Sequence, residues 1–128
     1  MAGIRKNKFN AKRTKFNGLY YDSVKESVYA QNLEWLRKAK EIKSWSAQHR
    51  WELYVNRMKI RQYTIDFRVV NLDGTIDYIE VKGMQTYSFQ ITWKLTQALF
   101  DELTEGENAR LYLNEKLVLQ SFKEKIKT

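Results

Sequence analysis

The stretch Ile65 to Gly83, Ile-Asp-Phe-Arg-Val-Val-Asn-Leu-Asp-Gly-Thr-Ile-Asp-Tyr-Ile-Glu-Val-Lys-Gly, restricts this chain more than any other, because its turn and its alternation together fix a strand register. Asn71-Leu72-Asp73-Gly74-Thr75 has the composition of a tight hairpin loop, with Gly74 able to take the left-handed conformation that a type I turn followed by a bulge requires. If Asn71 pairs with Thr75, counting outward sets Asp66 opposite Glu80, and directly opposed residues have Cβ atoms about 4.5 to 5.5 Å apart. Ile65, Phe67, Val69, Ile79 and Val81 are apolar and odd-numbered, so the period of two assigns Asp66, Glu80 and Lys82 to the opposite face. A slip of one residue would send the carboxylates into the core. The alternation fails near the tip, where Ile76 and Asp77 are out of phase.

At 128 residues the chain has the size of one domain, and 43% hydrophobic with 14% aromatic residues suits a folded one. It has no Pro and no Cys, which excludes disulfides, thiolate metal sites and a cysteine nucleophile. No run approaches the roughly 18 apolar residues of a membrane span, and the basic N-terminus leads into no signal-peptide core. The expectation is a cytoplasmic protein with no membrane partner and no small-molecule cofactor. A formal charge of +8, from 23 Lys and Arg against 15 Asp and Glu, favours a polyanion, of which nucleic acid is the commonest.

Residues 1–17 read as a basic flexible arm ahead of a single domain over 18–128. Arg5, Lys6, Lys8, Lys12, Arg13 and Lys15 are there with no acid among the first 15 residues. Such a segment either orders on a phosphate backbone or stays a solubilising tail. Asp22-Ser23-Val24-Lys25-Glu26 contains an S-x-x-E capping box, predicting a helix from about Ser23 to Lys38 with Val24, Val28, Leu33, Leu36 and Ala39 inward. Trp45 to Val55 alternates as a first strand, and Asn56-Arg57-Met58-Lys59 links it to the strand of Asp66. A second helix spans about Ser88 to Leu103, with Ile91, Leu95, Ala98, Leu99 and Leu103 inward and Gln90, Lys94 and Gln97 outward. Arg110 to Asn114 is a short strand, and Val118, Phe122 and Ile126 suggest a C-terminal helix.

Two carboxylates and an amine on one strand pair suit metal-dependent cleavage of a phosphodiester, which needs charge neutralisation and an activated water. Asp66 and Glu80 offer hard oxygens for Mg²⁺ or Mn²⁺, and the main-chain carbonyl of Val81 is a third candidate ligand. Lys82 can orient the water or stabilise the pentacovalent phosphate. The opposing reading is an exposed polar face compensated by Lys82 and Arg68, although like charges opposed on a sheet are unfavourable without compensation. Glu26 is already accounted for by its cap, yet a helix beside the hairpin could aim it at the same ion. His49, the only histidine, reads as a core or groove residue, and Trp35, Trp45, Trp51 and Trp93 as core aromatics. Gln90 and Lys94 either meet phosphate near the ion or are simply solvated.

The series Glu26…Asp66…Glu80-Val81-Lys82-Gly83 resembles the PD-(D/E)XK nuclease superfamily, and within it small phage-encoded endonucleases of the Holliday-junction-resolvase branch. The likeness covers roughly residues 8–100, and Ile65 replaces the proline of the motif's name. It implies an α/β (α+β) fold with a restriction-endonuclease-like αβββαβ core, a mixed central sheet flanked by helices. It further implies Asp66 and Glu80 as metal ligands, Lys82 as the catalytic lysine and Glu26 as the helical carboxylate. The expected activity is a Mg²⁺- or Mn²⁺-dependent DNA endonuclease on branched DNA, working as a homodimer in a bacterial host cell if phage-encoded. The alternatives are a non-catalytic basic nucleic-acid-binding protein and a repair- or restriction-type nuclease on linear duplex.

Overall fold

The computed structural model describes residues 14–16, 19–21, 23–81 and 86–123. The chain divides into two compact units, Met1–Glu41 and Ile42–Thr128. In the first, strands β1 (Thr14–Phe16) and β2 (Leu19–Tyr21) pair antiparallel and precede helix α1 (Val24–Lys38). Arg5, Lys6, Lys8, Lys12 and Arg13 lie outside the described residues, while Lys15 falls within β1 opposite Tyr20.

The capping box starts α1 as expected: the Glu26 N–H donates to the Ser23 Oγ at 3.1 Å, satisfying one of the four N–H groups that a helix start leaves without partners. Arg37 and Lys38 then place positive charge in the last turn, where the helix dipole favours it. The buried stripe is Ser27, Ala30 and Leu33, whereas Val24, Val28, Leu36 and Ala39 are exposed. Leu33 is inward as expected, and beside it two small side chains, Ser27 and Ala30, complete the buried face, which a search for large apolar residues overlooks. Trp35, read as core, is also exposed.

The second unit is built on strands β3 (Ile42–Val55), β4 (Met58–Asn71) and β5 (Ile76–Glu80), helix α2 (Tyr87–Leu103), and strands β6 (Ala109–Leu113) and β7 (Lys116–Ser121). The sheet order is β3-β4-β5-β6-β7. β3, β4 and β5 form an antiparallel meander, α2 crosses over to return β6 parallel to β5, and β7 closes an antiparallel edge. The architecture is α+β, with a mixed five-stranded sheet and two helices, consistent with the expected αβββαβ core.

The 71–75 turn forms as its composition dictates. Asn71 N–H donates to the Thr75 carbonyl at 2.8 Å, Gly74 sits at φ 92°, and the Asp73 carboxylate accepts from the Thr75 N–H at 2.9 Å. The link between β3 and β4 is shorter than expected. Asn56 and Arg57 alone make it, both at positive φ (50° and 70°), which is the two-residue type I′ geometry that matches strand twist. Asn114 and Glu115 repeat it at 50° and 69°, so the chain turns back into β7 where a C-terminal helix was expected. Ile126 lies outside the described residues.

α2 is capped by Thr86, whose hydroxyl accepts from the Phe89 N–H at 3.0 Å. It buries Phe89, Thr92, Trp93, Thr96 and Phe100 rather than the expected stripe; Leu95, Leu99 and Leu103 flank the core, and Ala98 is exposed. The threonines tolerate burial because the Thr92 and Thr96 hydroxyls donate to carbonyls four residues back, at 3.1 and 2.8 Å. Phe89, Trp93 and Phe100 pack with Trp51, Leu53, Tyr63, Ile65, Ile76, Tyr78 and Leu111 in one aromatic-rich core.

Candidate functional site

The pairs Arg68↔Tyr78 and Phe67↔Ile79 continue, one step on, to Asp66 opposite Glu80, as the turn requires. There the regular ladder stops, because the Val81 N–H donates to the Asp66 Oδ2 at 2.7 Å. A side chain has taken the hydrogen bond of the first amide past the strand, and β5 ends at Glu80.

The expectation of one apolar odd-numbered face does not survive. Phe67 stands beside Ile79 in the ladder, and its ring lies 6.1 Å from that of Trp45. Tyr78, pointing to the other face, packs 4.8 Å from Trp51 and 5.4 Å from His49, the neighbours of Tyr63 and Ile65. Ile65 and Phe67 therefore face opposite ways, and the alternation inverts at Asp66. Across the ladder, between Ala47 and His49, Gln48 takes φ 58°. Left-handed backbone at a non-glycine residue inside a strand is strained, and such local breaks re-aim side chains.

The inversion determines where Glu80 lies. It shares the face of Tyr78 and Tyr63 and is only 4% exposed, with its Oε1 accepting from the Tyr63 hydroxyl at 2.6 Å. Burial, then the Glu80 charge and hydrogen bond, then the Asp66 charge drive the Tyr63 hydroxyl far above its ordinary value. The phenol is thus a permanent donor in the field of both carboxylates. Tyr63 is the site residue that sequence reasoning missed. It alternates with Ile65 as a core aromatic does, and its partner is on another strand 17 residues on.

Arg68, proposed as compensation for the carboxylates, is engaged elsewhere. Its Nε donates to the Tyr78 hydroxyl at 3.0 Å and a terminal nitrogen to Glu107 at 3.0 Å, while Tyr78 donates to Glu107 at 2.7 Å. Chiefly through burial, Tyr78 is pushed up to about 12. His49 sits beside this network, held below its ordinary value by burial first and by Arg68 second, with Glu107 opposing. That agrees with the reading of His49 as a core or groove residue.

The other expected site residues are placed as follows. Val81 is buried at the end of β5. Lys82 and Gly83 lie outside the described residues. Glu26 is in the first turn of α1, in the unit ending at Glu41, whereas Asp66, Glu80 and Val81 belong to the unit beginning at Ile42. Gln90 and Lys94 are both exposed on α2. Among the described residues no group of three or more His, Cys, Asp or Glu is placed to hold a metal ion. Nor is any helix among them long and apolar enough to cross a membrane.

The donor set at Asp66 and Glu80 is carboxylate oxygen, one member buried, beside a phenol that keeps its proton. That set is hard and anionic and chemically fits a small divalent cation.

A family model matches residues 6–117, and the chain belongs to that family, described as a protein of unknown function (DUF1064). No curated protein and no solved structure matches the chain.

Proposed function

We propose that this member of the DUF1064 family is a Mg²⁺- or Mn²⁺-dependent DNA endonuclease of PD-(D/E)XK type, acting on branched DNA as a homodimer. The observation that carries the reading is the register that sets Asp66 opposite Glu80, with Tyr63 within the field of both and Lys82 two residues beyond Glu80. Asp66 and Glu80 would hold the ion, with the Val81 carbonyl as a further ligand. A bound divalent ion would neutralise phosphate charge and make water a better nucleophile. Tyr63 fixes the rotamer of Glu80, and the Asp66 bond to Val81 N–H fixes the end of β5, so both carboxylates are held before any ligand arrives. Lys82 supplies positive charge toward the phosphate. The +8 charge supports a polyanionic substrate, with Gln90, Lys94 and the N-terminal basic residues as candidate phosphate contacts.

A second reading, a non-catalytic nucleic-acid-binding protein, draws on the same hydrogen bonds: each carboxylate already accepts from an internal donor. A third, repair- or restriction-type cleavage of linear duplex, differs only in substrate. Incubating the purified chain with four-way junction, flap, nicked and linear duplex, with and without Mg²⁺ or Mn²⁺, separates all three. The expected result is metal-dependent nicking of the junction, lost in Asp66→Ala and Lys82→Ala while binding persists. Cutting without metal, or undiminished cutting in both variants, overturns the assignment.

A further inference from the structure

β5 lies against β4 only over Phe67 to Val70, so the first half of β4 and the second half of β3 continue past the sheet as a two-stranded ribbon. Its base is anchored: Trp51, Leu53 and Tyr63 are in the core, and one terminal nitrogen of Arg61 donates to the Ser88 hydroxyl at 3.0 Å and the Thr92 hydroxyl at 2.9 Å on α2. Beyond Leu53 and Arg61 the ribbon changes character. The pairs Leu53↔Arg61 and Tyr54↔Lys59 leave Ile60 as the extra residue of a bulge, and Val55 stands beside Met58 at the turn.

Tyr54, Val55, Met58 and Ile60 are all exposed, Met58 at 65%. From Leu53 to Gln62 the sequence has Arg57, Lys59 and Arg61 and no acid. The nearest acid, Glu52, is held between Lys59 at 2.6 Å and Arg50 at 3.0 Å. Scattered exposed apolar residues need no explanation, but four within one seven-residue turn, flanked by cations, mark a contact surface. A protein partner with an apolar groove would not call for this one-signed charge. A nucleic acid calls for both: phosphates for the cations and base faces for the apolar side chains.

We propose that the β3–β4 hairpin tip, Tyr54 to Ile60, docks at the branch point of a DNA junction, with Arg57 and Lys59 on the flanking phosphates and Met58 and Val55 against unstacked bases. This rests on the reading of the substrate as DNA and adds the element that recognises its structure. A continuous duplex must be unstacked before an apolar side chain can enter it, at a cost of a few kcal/mol per step, whereas stacking is already interrupted at a branch. The tip therefore selects branches over duplex. Met58 is five residues along β4 from Tyr63, roughly 17 Å at about 3.3 Å per residue. That equals about five base steps at 3.4 Å each, so one docked arm can reach from the tip to Glu80.

The test uses the full chain in EDTA, with a four-way junction carrying 2-aminopurine at its centre and a linear duplex of matched sequence. The parent chain is expected to bind the junction and raise the probe's fluorescence. In Arg57→Ala/Met58→Ser, junction affinity should fall about tenfold and the fluorescence rise should disappear, with duplex affinity kept within about threefold. Met58→Trp, which supplies a side chain able to pack on a base, should retain both responses, and the duplex affinity kept in the double variant shows that its loss at the junction is not a lost fold. Equal junction binding and fluorescence in parent and double variant overturn the proposal, as does a double variant that loses only self-association in sedimentation. Cleavage is read separately. Tip-dependent unstacking without metal-dependent hydrolysis keeps this assignment and overturns the nuclease reading; metal-dependent hydrolysis indifferent to the tip does the reverse.

Discussion

Glu80→Gln removes a negative charge from a side chain that is 4% exposed, while keeping its shape and an oxygen that the Tyr63 hydroxyl can still reach. Taking a carboxylate out of water costs several kcal/mol even after relaxation, and a hydrogen bond to a charged group returns only about 1.5 to 3 kcal/mol. Asp66, one step past the last ladder pair Phe67↔Ile79, adds a like charge to the same neighbourhood. Without metal, the parent carboxylate should thus sit at a net cost on the order of 1 to 3 kcal/mol, which the amide recovers. A rise in melting temperature of roughly 3 to 10 °C for Glu80→Gln in EDTA follows for a unit of this size. Divalent ion reverses the comparison. With Mn²⁺ at about 100 times its dissociation constant, the parent gains about 2.7 kcal/mol by linkage, and the variant, lacking half of the anionic donor pair, gains little. The assay is a pair of circular-dichroism melts for each protein, one in EDTA and one in Mn²⁺. A loss of stability in EDTA for Glu80→Gln, with Mn²⁺ moving neither protein, would refute the reasoning. The carboxylate would then be a structural acceptor for Tyr63, and the non-catalytic reading would stand.

Two further outcomes are expected from the same neighbourhood. Tyr63→Phe deletes the donor that positions Glu80, so it should cost about 1.5 to 3 kcal/mol in urea unfolding and raise the Mn²⁺ concentration at half-maximal thermal shift by about tenfold or more; an unchanged Mn²⁺ midpoint would remove its positioning role. His49 is held below its ordinary value in the fold, so the unfolded chain takes up the imidazole proton first. Stability from this group is present above the unfolded value of about 6.5 and is lost as pH falls below it. Urea midpoints should decline from about pH 7.5 to about pH 5.5, less so in His49→Gln, and an identical decline in both proteins would assign the slope to other groups.

The elements legible in the sequence were those whose signal is local. Ser23 and Glu26 announce α1 because a cap needs only residues three apart, and Asn71 to Thr75 announce the hairpin because Gly74 answers a backbone demand within the turn. The misread elements depend on partners distant in sequence. Asn114-Glu115 lacks the glycine that usually marks a type I′ turn, and what makes Lys116 to Ser121 a strand is β6 waiting alongside. On α2, Thr92 and Thr96 look outward by hydropathy, yet they go inward because their hydroxyls are satisfied within the helix and their small volume lets Trp93 and Phe100 into the core.

At the candidate site the register was legible and the burial was not, for one physical reason. Counting outward from the turn needs only equal numbers of residues on each strand, and that holds through the break: His49↔Ile65 and Ala47↔Phe67 keep the same sum on either side of it. Assigning faces needs an unbroken pleat, and the pleat inverts at Gln48 and Asp66. Left-handed backbone at a residue with a Cβ costs about 1 to 2 kcal/mol, and it persists only where the surrounding packing over-determines it. Here the packing on either side gives the reason. Trp51, Tyr63 and Ile65 are held by α2 on one face, while Phe67 and Ile79 are buried on the other with Trp45 half-buried beside Phe67. A regular strand would have to expose one set. The strained residue therefore lets one hairpin fill both faces of the sheet, and the crossing point between those faces is where Asp66 meets the end of β5 and Glu80 turns under the core toward Tyr63.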